Sequence, residues 1–322
     1  MINVAGLGSA GSYLLRRLDQ EGFEYQGFDP KRPDYYIPCG YATNLDRIKV
    51  FADRAGLEIE DYAPVRSRNV TFAGNGFNPV SFPGKGIGTF DKNRFEADLI
   101  NGLRFVRKTL GKRDEAEIFI DATGVSRQLL GRVEGDRLLY AKEFLADSAK
   151  HDDFYFYFFS NGSGYYWEFP LENGYHVGAG ALSLDTVNEA LLSVKSGKVA
   201  GRKIRMKPLF DNISSGNTIG VGESIGLVSP LTGEGIIPAL ESAEMLIQSL
   251  KKHDDLSTIT NDYRRQIMKK YGYYEQLYEL VSAIQSQRAL KVSSLRSALF
   301  ARKDLSGFGI GFSIRKVIGH FL

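Results

Sequence analysis

A glycine-rich turn close to the amino terminus places the strongest constraint on the fold of this chain. The sequence INVAGLGSAG begins with a short apolar segment, Ile2 to Ala5, and continues with glycines at positions 6, 8 and 11. An amphipathic segment extends through Leu18, and a second apolar segment ends at Asp29. The order of strand, glycine turn, helix, strand and acidic residue predicts a Rossmann-type unit that binds a dinucleotide.

Each residue of this turn has a physical role in such a unit. Gly6 permits the tight turn, Gly8 lets the backbone approach a pyrophosphate, and Gly11 lets the helix pack closely on the strand. The helix N-terminus faces the phosphates. Asp29 follows Gly11 by 18 residues and is placed to accept hydrogen bonds from a ribose. The motif does not distinguish FAD from a nicotinamide cofactor.

The remainder of the dinucleotide domain is predicted from segments that lie far apart in the chain. Gly- and Pro-rich sequence from Val65 to Gly88 interrupts the sheet, and a strand with a following helix appears at 89 to 100. An apolar strand, Ile118 to Ile120, leads into an Asp-Ala-Thr-Gly turn, and a long helix begins near Ile236 after several small residues. The pieces predict a Rossmann-like domain that is discontinuous in sequence.

These segments define the expected organisation, which is α/β in its first domain and α+β overall. The dinucleotide-binding domain comprises residues 1–62, 89–125 and 213–260. An inserted antiparallel-sheet domain that binds the substrate comprises residues 63–88 and 126–212. A helical segment, 261–322, completes the chain. At 322 residues the chain exceeds the roughly 250 to 300 at which one hydrophobic core stops growing, which also favours two lobes.

An aromatic hairpin, YYWEFPLENGYHVGAG, dominates the predicted second domain. Alternation along a strand directs Tyr165, Trp167 and Phe169 to one face. This face either packs into a core, as aromatic side chains commonly do, or lines a binding slot. Gly178 and Gly180 lack side chains in a strand, which suggests the close approach of another body.

The composition excludes several classes of function. The chain has 41 basic and 38 acidic residues, without the basic excess expected of a nucleic-acid-binding protein. One Cys cannot form an internal disulfide, and it gives no metal-ligand spacing with four scattered His. The start lacks a signal-peptide pattern, and the longest uncharged apolar stretch is too short to span a bilayer. We therefore expect a cytoplasmic protein without a metal site.

Taken in order, these motifs resemble those of the p-hydroxybenzoate hydroxylase-like superfamily of FAD-dependent proteins, and more closely those of its geranylgeranyl reductase family. The most specific element is Tyr-x-Trp-x-Phe-Pro followed by Gly-x-Gly. The matching segments are GLGSAG (6–11), Asp29, PCG (38–40), DKNRFEADL (91–99), DATG (121–124), YYWEFP (165–170), GAG (178–180) and GESIGLVSPLTGEGI (222–236).

The resemblance implies that FAD is the cofactor. It assigns cofactor contacts to Gly6, Gly8, Ala10, Gly11, Asp29, Cys39, Gly40, Ala42, Lys92, Ala122, Gly124, Gly222, Glu223, Gly233, Gly235 and Ile236. Two of these positions depart from the family pattern, because Glu223 stands for the usual Asp and Lys92 for the usual Arg. Glu223 is one methylene longer than Asp, and its carboxylate is expected to bond the ribityl chain. Lys92 replaces the planar guanidinium of Arg with a compact ammonium group.

The resemblance also implies a reductase that saturates isoprenoid double bonds of a geranylgeranyl-type lipid. Its hydrophobic slot would be lined by Tyr165, Trp167, Phe169, Pro170, Gly178 and Gly180. Cys39 is either the proton donor or a small buried hydrophobe. The electron donor, a nicotinamide nucleotide or ferredoxin, stays open. The alternatives are an aromatic hydroxylase of the same fold and a carrier that binds flavin or lipid without catalysis.

The carboxyl-terminal segment is predicted to be helical and basic. Seven Lys or Arg residues and a single Asp follow Gln285. Such a segment either lies on anionic lipid at the inner face of the membrane, caps the slot, forms a dimer contact or presents a solvated face. Peripheral membrane contact would suit a substrate that is extracted from a bilayer.

Overall fold

A computed structural model describes residues 1–32, 35–75, 77–111, 114–194, 197–286 and 294–311. The strands are β1 (Ile2–Ala5), β2 (Tyr25–Phe28), β3 (Ala42–Asn44), β4 (Val65–Arg66), β5 (Asn69–Gly74), β6 (Phe77–Pro83), β7 (Ile87–Thr89), β8 (Phe105–Val106), β9 (Ile118–Asp121), β10 (Leu138–Ala146), β11 (Phe154–Phe158), β12 (Gly164–Pro170), β13 (Tyr175–Ala181), β14 (Lys198–Arg205), β15 (Ser214–Ser215) and β16 (Thr218–Gly220). The helices are α1 (Ser9–Gln20), α2 (Leu45–Ala55), α3 (Lys92–Ile100), α4 (Leu184–Ala190), α5 (Ile236–Lys252), α6 (Leu256–Tyr271), α7 (Tyr273–Gln285) and α8 (Ser294–Gly307).

The first sheet is the predicted Rossmann-like sheet. Its strand order is β15-β16-β9-β1-β2-β8, and all neighbours are parallel except β15 and β16. β1 is buried along its whole length, as expected for a central parallel strand covered on both faces. Helix α1 buries Tyr13, Leu14, Leu15 and Leu18 against this core. The carboxyl ends of β1, β9 and β16 therefore meet at one edge of the sheet.

The second sheet has the order β14-β10-β13-β12-β11-β5-β6 and is antiparallel except for the β11–β5 pair. Trp167 on β12 lies between Phe156 of β11 and Gly178 of β13. The aromatic face of this sheet forms a core that includes Phe154, Phe156 and Phe169, and Leu305 of α8 and Phe308 just after it also belong to this core. The sheet thus supplies both a core and one wall of the site.

A third, three-stranded sheet with the order β3-β7-β4 connects the other two. The strand near residue 89 was predicted to belong to the dinucleotide domain. In the structure this strand, β7, pairs with β3 and β4 and not with a strand of the Rossmann-like sheet. The hydroxyl of Thr89 donates to the carbonyl of Pro170 at 2.5 Å, which attaches this small sheet to the end of β12.

The predicted fold class is confirmed by this architecture: a parallel Rossmann-like sheet, an antiparallel sheet and carboxyl-terminal helices. Much of the basic carboxyl-terminal segment, including residues 287–293 and 312–322, lies outside the described residues. Among the helices that are described, none combines the length and the apolar character that a bilayer crossing requires.

Candidate functional site

A cavity of about 490 Å³ extends from the glycine turn after β1 to the aromatic face of β12. It brings together most of the residues that the sequence singled out. Those that line it are Gly6, Gly8, Ala10, Asp29, Cys39, Gly40, Ala42, Lys92, Ala122, Gly124, Tyr165, Trp167, Phe169, Gly180, Glu223, Gly233, Gly235 and Ile236. Gly11, Pro170, Gly178 and Gly222 do not line it and instead take part in packing around it.

The glycine turn shows why two of its glycines admit no side chain. A Cβ on Gly6, whose φ is +86°, would lie 2.6 Å from the carbonyl oxygen of Ala122. A Cβ on Gly11 would lie 1.8 Å from the carbonyl oxygen of Gly6. By contrast, a Cβ on Gly8 would meet no atom of the described residues within 4 Å. The backbone at Gly8 is therefore open to a ligand in the cavity.

Asp29 lies beside this turn and binds its backbone. It is 5% exposed, and its carboxylate accepts the backbone N–H of Leu7 at 2.6 Å and that of Lys31 at 2.8 Å. Each carboxylate oxygen has more than one acceptor site. Asp29 can consequently hold the turn and still accept a hydroxyl donor from a ligand.

A buried ion pair lies beside the N-terminus of α1. Lys92 Nζ lies 2.7 Å from Glu96 Oε1, and the hydroxyl of Ser9 donates to the same oxygen at 2.7 Å. Burial lowers the pKa of Lys92, but the attraction of Glu96 outweighs this, and the net pKa lies above its ordinary value. Lys92 therefore keeps its charge in the cavity wall.

The loop that carries Cys39 is held by a buried cluster that sequence reasoning missed. Glu143 Oε1 accepts the hydroxyl of Tyr36 at 2.5 Å and the backbone N–H of Cys39 at 3.3 Å, and it lies 2.8 Å from Nδ1 of His176. Glu143 and His176 are fully buried. Glu143 alternates with the buried Leu139 and Ala141 along β10, and this pattern was the available signal.

Cys39, for which the resemblance predicts a place beside the cofactor, lines the cavity. Burial raises the pKa of its thiol above the ordinary value, and the positive charge of Lys92 only partly opposes this effect. The thiol is therefore protonated at neutral pH. It is also a weaker acid than a solvated cysteine.

Glu223 is tied to β14 through both carboxylate oxygens. Arg202 Nη2 binds Oε2, and the backbone N–H of Arg205 donates to Oε1 at 2.9 Å. Arg202 also lines the cavity, although the sequence gave no reason to select it over other basic residues of β14. The Glu223 side chain, one methylene longer than that of Asp, spans the gap to this strand. Its carboxylate thus links the two sheets at the cavity wall.

The aromatic end of the cavity is formed by the predicted hairpin. The rings of Trp167 and Phe169 are stacked with centroids 6.2 Å apart, and the hydroxyl of Tyr165 donates to the carbonyl of Thr232 at 2.5 Å. Trp167 is 6% exposed, and its Nε1 has no hydrogen-bond partner among the described residues. Phe308, the residue after α8, also lines the cavity.

The two spaced glycines of β13 have different roles. A Cβ on Gly178 would lie 2.2 Å from Cζ2 of Trp167, whereas one on Gly180 would lie 3.7 Å from Cζ3. The close approach predicted at Gly178 is therefore that of the neighbouring Trp167 ring and not that of a ligand. Gly180, in contrast, faces the cavity.

A further carboxyl group in the cavity, that of Glu234, was not identified from the sequence. Glu234 lies between Gly233 and Gly235 immediately before α5. Its Oε1 accepts the hydroxyl of Thr43 at 3.1 Å and the backbone N–H of Ile237 at 2.8 Å. Burial raises the pKa of Glu234 to about 7. An acidic residue among small residues before a long helix was the only signal.

No cluster of three or more His, Cys, Asp or Glu side chains suited to a metal ion occurs within the described ranges.

The fold and this cavity define a class, the FAD-dependent oxidoreductase fold. A geranylgeranyl bacteriochlorophyll reductase-like protein of Thermoplasma acidophilum is similar at a TM-score of 0.73 and 16% identity, covering 95% of this chain and 98% of its own. PqsL, a probable FAD-dependent monooxygenase from Pseudomonas aeruginosa, is similar at 0.67 and 15%, covering 94% and 99%. The flavin-dependent brominase Bmp2 is similar at 0.62 and 12%, covering 99% and 98%.

The chain belongs to the tryptophan halogenase family, whose family model matches residues 91–287. No curated protein matches the sequence. The predicted recognition is thus confirmed at the level of FAD-dependent oxidoreductases, and FAD is the cofactor of that class. The narrower assignment to geranylgeranyl reductases stays a prediction.

Proposed function

We propose that this protein is an FAD-dependent reductase that saturates carbon–carbon double bonds of an isoprenoid, geranylgeranyl-type lipid. One observation carries the proposal: a single cavity joins the glycine turn after β1 to the aromatic face of β12. A dinucleotide in the turn and an apolar chain against Trp167 would therefore share one continuous space. Such a mixture of apolar walls and a few polar groups is typical of ligand sites.

The residues at the first end of the cavity fit FAD. The open backbone at Gly8 and the N-terminus of α1 would hold the pyrophosphate, and Asp29 would hold the ribose. Gly235 and Ile236, where α5 begins, would contact the ring system, and Lys92 adds a positive charge to the wall. When bound and reduced, FAD supplies a hydride.

The aromatic end fits an apolar chain. Each buried methylene contributes about 0.8 kcal/mol, so that surface area alone can hold a lipid tail. A purely hydrocarbon occupant would leave the N–H of Trp167 without an acceptor, and an unsatisfied buried donor costs about 1 to 3 kcal/mol.

Access to a membrane-borne substrate would require contact with lipid. Arg296, Arg302 and Lys303 of α8 contribute part of the basic segment in the described chain. We propose a cytoplasmic protein that contacts anionic lipid peripherally through this segment. Phe308, which directly follows this helix, would then lie between the surface and the slot.

A second candidate function is oxygenation or halogenation of an aromatic substrate. The match to the tryptophan halogenase family and the likeness to PqsL favour it. The face formed by Tyr165, Trp167 and Phe169 offers stacking partners to a planar ring as well as to a lipid tail. The two candidates differ in their need for oxygen.

The test uses purified protein loaded with FAD and reduced with dithionite without oxygen. Anaerobic reoxidation of the flavin by a geranylgeranyl lipid, with mass analysis showing a gain of two hydrogens per double bond, supports the reductase. Oxygen consumption coupled to hydroxylation of an aromatic substrate, or to halogenation when halide is present, with no anaerobic alkene reduction, supports the second candidate. A protein that binds no FAD contradicts both.

Cys39→Ala examines the assignment of Cys39 separately. The variant is expected to keep its flavin because the backbone N–H of Cys39, not its sulfur, is held by Glu143. Loss of alkene reduction with bound flavin would make the thiol the proton donor. Unchanged turnover would leave Cys39 as a small hydrophobe in the wall.

A further inference from the structure

We propose that Glu234 is the proton donor of the cavity, delivering a proton to the substrate carbon that does not receive the hydride. The inference rests on the proposed reductase function, since alkene reduction requires one acid. It concerns a residue for which the sequence motifs gave no catalytic role.

The geometry of the carboxyl group carries the proposal. Glu234 lines the cavity and is 8% exposed. Its Oε1 is fixed by two donors, the hydroxyl of Thr43 at 3.1 Å and the N–H of Ile237 at 2.8 Å. No hydrogen bond to Oε2 is formed by any residue within the described ranges. One oxygen is thus anchored by the protein, and the other is left for an occupant of the cavity.

The anchoring pattern suits the protonated form. With both donors on Oε1, that oxygen acts as the carbonyl, and the proton resides on Oε2. The ionised form would place a negative charge on an oxygen without a protein donor, which is costly in a buried site. A carboxylic acid with its O–H directed to the cavity results.

The hydrogen-bonding, charged and titratable groups around Glu234 come from five elements. They are Thr43 on β3, Arg47 on α2, Tyr271 on α6, Tyr274 on α7 and Asp304 on α8. Arg47 favours the carboxylate, but its guanidinium is already paired with Glu241. The negative charge of Asp304 disfavours the carboxylate form of Glu234. Burial is the largest effect, and it leaves the pKa of Glu234 near 7, where an acid both holds its proton and releases it readily at neutral pH.

The proton balance is complete with these groups. The substrate π bond would break as one carbon gained a hydride, which reduced FAD would supply when bound, and the other gained the proton from Glu234 Oε2. The alkene would thereby be reduced by the two electrons of that hydride. Glu234 is left as a carboxylate that regains a proton from water after the product leaves. Cys39 is less suited to this role because burial raises the pKa of its thiol.

Glu234→Gln tests the assignment, because Gln retains an oxygen for Thr43 and Ile237 and removes the acid. We expect unchanged FAD content and dithionite reduction, with anaerobic reoxidation by the prenyl substrate slowed by at least about 100-fold. The matched control is Asp262→Asn on α6, a buried carboxyl that does not line the cavity and is not among the groups around Glu234, and it should keep the rate. Reoxidation by the Gln variant at close to the wild-type rate overturns the proposal.

A second readout does not depend on turnover. Infrared difference spectra of wild type against the Gln variant at neutral pH should contain the C=O stretch of a protonated carboxylic acid. The absence of this band overturns the proposal. If the wild-type protein reduces no prenyl alkene, the proposed reductase function fails, and the infrared result then decides the protonation of Glu234 alone.

Discussion

The protonation of Glu234 predicts how the stability of the ligand-free protein depends on pH. The ordinary pKa of this carboxyl, 4.5, applies to the unfolded chain, and burial raises it to about 7 in the folded chain. Between these values the folded state keeps a proton that the unfolded state releases. The free energy of unfolding therefore decreases as pH rises through this window.

The magnitude follows from the size of the pKa change. Each pKa unit corresponds to roughly 1.4 kcal/mol, so that Glu234 destabilises the folded state by about 3 kcal/mol above its folded pKa. Below pH 4.5 both states are protonated and the contribution vanishes. The Glu234→Gln substitution removes this contribution to the free energy of unfolding. The stability of the variant relative to wild type should rise by up to about 3 kcal/mol between about pH 5 and about pH 8.

Urea unfolding of the apoprotein, followed by circular dichroism over this pH range, measures the effect. Asp304→Asn serves as a control with a different window, because burial raises the pKa of Asp304 from 3.8 to about 6. Its difference from wild type should change at lower pH than that of Glu234→Gln. Parallel pH curves for wild type and Glu234→Gln would refute the argument that burial holds the proton on this carboxyl.

Two further substitutions probe the packing around the site. Gly178→Ala places a Cβ 2.2 Å from the Trp167 ring and should lower the free energy of unfolding by about 1 to 3 kcal/mol. Gly180→Ala places its Cβ at an ordinary contact distance and should have a smaller effect. Equal urea midpoints for the two variants would contradict this packing. Lys92→Met leaves Glu96 buried with only the Ser9 hydroxyl and should cost about 3 to 5 kcal/mol, most of which Glu96→Gln in the same chain should restore. Wild-type stability of Lys92→Met in urea would show that the pair is not desolvated.

The motifs close in sequence were predictable because their physical requirements are local. The turn after β1 needs glycine at position 6 since its φ is positive, and the helix that follows needs glycine at position 11 since its backbone touches that turn. Alternation along β12 likewise placed Tyr165, Trp167 and Phe169 on one face before any partner strand was known. Each of these features can be recognised from a few neighbouring residues of the sequence.

Contacts between distant residues were not predictable in the same way. The spacing of Gly178 and Gly180 predicted the close approach of another body, and the strand register sets Gly178 opposite Trp167. Register depends on which strands pair and on how the turns close, and neither is encoded by one strand alone. The sequence therefore indicated a close approach at Gly178, but it did not indicate that the approaching group is the Trp167 ring.

By itself the sequence determined the class of fold, the dinucleotide turn and the aromatic face, because periodicity and glycine geometry act over a few neighbouring residues. Only the tertiary structure decided that Glu143 holds the Cys39 loop, that Arg202 binds Glu223, and that Glu234 keeps one oxygen at the cavity. Burial and pairing of a charged group are set by side chains that are brought together from distant segments. Their energies, and the chemistry that follows, therefore arise only when the sheets and helices pack.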